Sequence, residues 1–137
     1  MSRIRAFQLL AVASALLYAV YLALPHAGLR HSPEVAQLLG MSGFGAVPFT
    51  QEPAFYLTFA LAKLVATLGL LLFRPWGRWL LVAIVVAGVA TLPFTGVSVG
   101  TPLDGVVGSV LTFTDGALVA LAFAPPISNA FLQRSGS

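Results

Sequence analysis

The chain has 137 residues, 58% of them hydrophobic and only 8% charged, with a mean hydropathy of +0.95 and a formal net charge of +3. Soluble domains carry about 25% charged residues, so the composition excludes a water-soluble globular class and indicates a single-domain integral membrane protein. The sequence contains no cysteine, which excludes disulfides, thiolate metal sites and thiol redox chemistry, and its seven basic residues are too few, and too close to apolar spans, to track nucleic-acid phosphates.

In chain order, Arg3 and Arg5 precede the apolar run AFQLLAVASALLYAVYLAL. That run exceeds the roughly 7–15 residues of a cleavable signal core, so it reads as an uncleaved spanning helix over about 4–24. Pro25 and Gly28 end it. Ala11, Ala15, Ala19 and Ala23 form a small-residue stripe suited to close helix packing in lipid. Ser14 and Tyr18 lie at depths where a hydroxyl needs a partner.

The connection over 25–53 is the longest. Ser32, Pro33 and Glu34 supply an N-cap, a first-turn proline and a first-turn acid, predicting a short interfacial helix that ends at Gly40. His26 and His31 lie in the same loop with Glu34 and Glu52. A metal site needs three or four convergent ligands, so these histidines read as exposed loop residues and no metal is expected.

The second spanning helix, over about 54–73, is apolar except for Lys63 near its centre. Ala54, Thr58, Ala62 and Ala66 form its small stripe, and Tyr56, Phe59, Lys63 and Thr67 share another face. Arg74, Trp76, Arg78 and Trp79 follow in a cytoplasmic turn over 74–78, where they serve as membrane-interface anchors. The third helix, over 77–97, is uncharged beyond its start and is the expected lipid-facing member; it reaches bilayer length either by continuing past a kink at Pro93 towards Val97 or by starting before Trp79. Thr101, Pro102 and Asp104 make a capping box that starts the fourth helix, over 102–124. Gly108, Thr112, Gly116, Ala120 and Ala124 form its small stripe, with Asp115 beside them. Pro125 and Pro126 end it. The tail over 125–137 is predicted to lay Ile127, Ala130 and Phe131 into the membrane interface, with Arg134 outward.

These elements predict an all-α membrane protein with four transmembrane helices in an up-down-up-down bundle. Arg3, Arg5, Arg74, Arg78 and Arg134 fall on one side, which places both termini in the cytoplasm of a bacterial inner membrane.

A lone cation at mid-bilayer costs at least about 2.5–3.5 kcal/mol, so Lys63 needs a counter-charge, and Asp115 is the acid at matching depth. Ser14, Tyr18, Thr67 and Thr112 lie within about two helical turns of that depth and complete a predicted polar cluster. Three readings of the pair stand side by side: a structural pin that sets helix register, a proton or ion relay, and a contact with another subunit. Helix 1 lacks the glutamate of small multidrug transporters, and no nucleophile–base set is visible, so no catalytic residue and no cofactor is expected. The functional expectation is a non-enzymatic accessory subunit of a larger membrane assembly. The alternative is a small oligomeric transporter or proton-coupled carrier with Lys63 and Asp115 in its path. The expected partners are the lipid bilayer and a larger membrane protein or further copies of the chain, without nucleic acid.

Overall fold

The computed structural model describes residues 3–24, 46–96 and 101–133. The described residues are helical, and four of the helices are long and apolar enough to cross a membrane. Helix α1 covers Arg3–Ala23, α2 is the single turn Pro48–Gln51, α3 covers Pro53–Leu71 and α4 covers Pro75–Thr91. A 3-10 turn, Leu92–Phe94, extends α4; α5 covers Pro102–Phe123 and α6 covers Ile127–Gln133. The expected interfacial helix over 33–40 lies outside the described residues.

Prolines set the starts. Pro48, Pro53, Pro75 and Pro102 each occupy the first turn of a helix, where the missing N–H leaves no bond unmade. The capping box of α5 is complete: the Asp104 N–H donates to Thr101 Oγ1 at 3.2 Å, and the Thr101 N–H donates to Asp104 Oδ2 at 2.6 Å.

Of the two expected ways for the third span to reach bilayer length, the earlier start is the one seen. Residues 75–78 form the first turn of α4, with Arg74 as N-cap, so the α3–α4 connection shrinks to Leu72, Phe73 and Arg74. At the far end the α-helix stops at Thr91 rather than kinking and running on to 97. Pro93 cannot donate a helical hydrogen bond, the chain tightens into the 3-10 turn, and Gly96 adopts a positive φ of 69°. Pro75–Phe94 still gives 20 residues of helical chain, about 30 Å at 1.5 Å per residue. This span is the least buried of the four, and it carries no charged residue beyond Arg78 in its first turn.

The principal seams join α3 to α4, α1 to α5, and α1 to α3, with a smaller one between α4 and α5. The hydrophobic core gathers where the start of α1, the end of α3, the start of α4 and the tail meet. Phe7, Phe73 and Phe131 stack there with centroid separations of 5.2–6.1 Å. Leu70, Leu81, Leu118, Ala122 and Ile127 surround them. Ile127 and Phe131 therefore plug the bundle end instead of lying in the lipid interface, and Arg134 lies outside the described residues. At the opposite end, Phe94 O accepts from the Val47 N–H at 3.0 Å and faces the Thr50 hydroxyl at 3.1 Å, tying α2 to the end of α4. Large apolar side chains such as Leu16, Val86 and Phe113 point outward, the pattern of a protein whose solvent is hydrocarbon.

Candidate functional site

Lys63, Asp115 and Ser14 sit on the inward stripes of three helices. On α3 the buried positions run Lys63, Ala66, Thr67 and Leu70; on α1 they run Phe7, Ala11 and Ser14; on α5 they are Leu111, Leu118 and Ala122, with Asp115 on the same side. This i, i+3, i+4, i+7 spacing is the helical period, and it carries the polar side chains inward with their apolar neighbours.

The three side chains converge on one oxygen. Lys63 Nζ lies 2.5 Å from Asp115 Oδ1, and Ser14 Oγ donates to the same Oδ1 at 2.5 Å. The lysine side chain is 3% exposed and the aspartate side chain 16%. Helices α3 and α5 share no principal seam, so the long lysine stem spans the gap between them and α1 supplies the hydroxyl from its own seam with α5. Opposite charges at this distance neutralise each other, and charge-assisted hydrogen bonds are roughly twice as strong as neutral ones.

The remaining members of the predicted cluster divide. Tyr18, one turn beyond Ser14, is half-buried on α1 within electrostatic reach of Asp115. Thr67 is buried, but its hydroxyl donates to the Lys63 carbonyl at 2.9 Å on its own helix. Thr112 is exposed, and its hydroxyl donates to the Gly108 carbonyl at 2.9 Å. Both threonines thus spend their hydroxyls on the preceding helical turn, a bond open to any threonine in a helix and favoured where water is absent.

The predicted anchors also divide. Arg74, Trp76 and Trp79 are exposed at the bundle end. Arg78 turns inward: its guanidinium lies 5.0 Å from the Phe123 ring and 5.6 Å from the Phe131 ring, and its Nε is buried without a hydrogen-bond partner. Sequence reading missed Gln8, whose amide donates to the Leu71 carbonyl at 3.3 Å and satisfies a C-terminal group of α3. A glutamine inside an apolar run was the available signal.

Among the described residues no three His, Cys, Asp or Glu side chains gather as a metal site, and His26, His31 and Glu34 lie outside those residues. Comparison with protein families, with curated proteins and with solved structures returns no match.

Proposed function

We propose that this chain acts by association, as a small non-enzymatic interaction subunit of a larger membrane assembly. The observation that carries the reading is the outward face of α5. Leu111, Leu118 and Ala122 are buried on one side of this helix, whereas Gly105, Thr112 and Gly116 are exposed on the other. A methyl group added at Gly105 or Gly116 would meet nothing within 4 Å. In hydrocarbon, small residues at helical spacing let a second backbone approach closely, and that approach drives helix association. The middle of the small stripe of α5, Thr112, Gly116 and Ala120, is thus left outside the bundle, where a transmembrane segment of the assembly would pack, while Gly108 packs under Tyr21 of α1.

The polar cluster supports a structural role within this reading. Asp115 Oδ1 already receives both donors, and the neighbouring threonines bond to their own helices. The end contacts of the spans support alternating helix directions. The arginines at one end support cytoplasmic termini in an inner membrane. Because the chain has no cysteine, single cysteines report sidedness cleanly: Val47→Cys should react with an impermeant maleimide in intact cells, and Arg74→Cys only after permeabilisation.

The test of association uses the tagged full chain in mild detergent. Wild type should run on native gels as a complex with a second membrane protein. Gly116→Leu should release that protein without lowering the thermal midpoint. A wild-type chain that runs alone as a monomer overturns the reading. The buried ion pair favours one alternative, a proton-coupled carrier. Proteoliposome flux by the wild type that collapses in the double variant Lys63→Met with Asp115→Leu, which leaves no charge stranded, would establish the carrier in its place.

A further inference from the structure

Between α1 and the corner joining α5 to α6 lies a cleft of about 460 Å³. Ligand sites commonly fall between roughly 300 and 1,000 Å³. Its walls are Ala6 and Leu10 on one side and Leu121, Pro126 and Ile127 on the other, with Arg3 the charged residue of the lining. The cleft exists because Pro125 and Pro126 end α5 and turn the chain, so that α6 folds back into the core through Ile127 and Phe131 and leaves the corner standing off α1.

Its polarity is graded along the helix axis. Arg3 lies in the first turn of α1, and Leu10 lies roughly 10 Å further along at 1.5 Å per residue. A cation at headgroup depth therefore opens onto an apolar trough running towards the bilayer interior. The same end of the molecule carries Arg5, Arg74 and Arg78, and among the described residues the acids sit elsewhere: Glu52 and Asp104 at the opposite end and Asp115 within the bundle. A free anion would leave the apolar wall unused, and a neutral chain would leave Arg3 unused. The chemistry that uses both is an amphiphile with a negative head.

We infer that this cleft binds one anionic phospholipid, its phosphate at Arg3 and an acyl chain along Leu10, Leu121 and Ile127. The site is independent of the outward face of α5, so its failure leaves the association reading untouched.

The experiment uses the full chain, delipidated in a maltoside detergent and titrated with dioleoylphosphatidylglycerol or dioleoylphosphatidylcholine under native mass spectrometry. Wild type should retain one phosphatidylglycerol several-fold better than phosphatidylcholine. Arg3→Gln, an exposed position, should abolish that preference. Ala6→Trp, which fills the trough, should remove the retained lipid altogether. Glycerol phosphate, a head without a chain, should not compete. A photoactivatable phosphatidylglycerol reports on wild type alone, so it stays decisive even where a variant folds poorly; its cross-links should map to Ala6, Leu10, Leu121 or Ile127. Equal uptake of both lipids, with cross-links spread over all four spans, overturns the site and assigns the lipid to the general annulus.

Discussion

Asp115 Oδ1 receives a lysine ammonium and a serine hydroxyl, each at 2.5 Å, from two different helices. Removing either charge strands the other inside the bundle, and breaking a buried pair in this way costs about 3–5 kcal/mol. Lys63→Met and Asp115→Asn should each lower stability by about that amount in reversible denaturation from mixed micelles. The double variant Lys63→Met with Asp115→Leu should regain most of the loss, because no buried charge is left alone. Double and single variants of equal stability would show that the two groups do not act as a pair. Ser14→Ala removes a hydrogen bond to a charged acceptor and should cost about 1.5–3 kcal/mol in the same assay. The need for a partner to Lys63 was legible from depth alone; which hydroxyl would join it was not. Ser14, Tyr18, Thr67 and Thr112 are equivalent by sequence depth, and only helix rotation distinguishes Ser14, which faces inward, from Thr112, which faces out.

The α3–α4 hairpin closes in three residues. Phe73 takes a left-handed φ of 52°, the Arg74 N–H reaches back to Gly69 O at 2.8 Å and the Phe73 N–H to Leu70 O at 3.1 Å. This is the Schellman arrangement, with phenylalanine where glycine is usual, and the strain is offset by burying Phe73 against Phe7 and Phe131. So tight a turn presses the two backbones together. A Cβ on Gly77 would lie 2.5 Å from the Gly69 carbonyl carbon, and one on Gly69 would lie 2.7 Å from Gly77 Cα. Gly77→Ala should therefore destabilise towards the upper end of the about 1–3 kcal/mol typical of overpacking, since the obstacle is backbone and cannot rotate away. Gly116→Ala, facing open space, should leave the thermal midpoint unchanged, and the two melts measured together isolate the effect. Thr101→Ala should cost about 1 kcal/mol through loss of the capping box, read in the same melts. The box was fully visible in four consecutive residues because its bonds are local. The Gly69–Gly77 contact was not, because each glycine alone is unremarkable in an apolar run.

Across the whole molecule, packing is uneven. The tight apolar core lies at the arginine-bearing end, where Phe131 from the tail helix completes a three-ring cluster with Phe7 and Phe73. Phe131→Ala should cost about 3–5 kcal/mol, as other fully buried phenylalanines do. It should also free Arg78, whose guanidinium rests on that ring; faster proteolysis of the tail would accompany the lower melting point. An unchanged melt would place α6 outside the cooperative unit.

The sequence alone determined that four segments are long and apolar enough to cross a bilayer, that Pro53 and Pro102 begin two of them, and that Lys63 requires a counter-charge. Each of these follows from the transfer of local chain segments out of water, a quantity summed residue by residue. Tertiary structure alone decided that Ser14 joins the pair while Thr67 and Thr112 do not, that Arg78 and Phe131 turn into the core, and that Gly105 and Gly116 of α5 face away from it while Gly108 packs under Tyr21. Those outcomes depend on the rotation of each helix about its axis, and in an almost uniformly apolar helix no local energy prefers one rotation. Contact with the neighbouring helices supplies the preference.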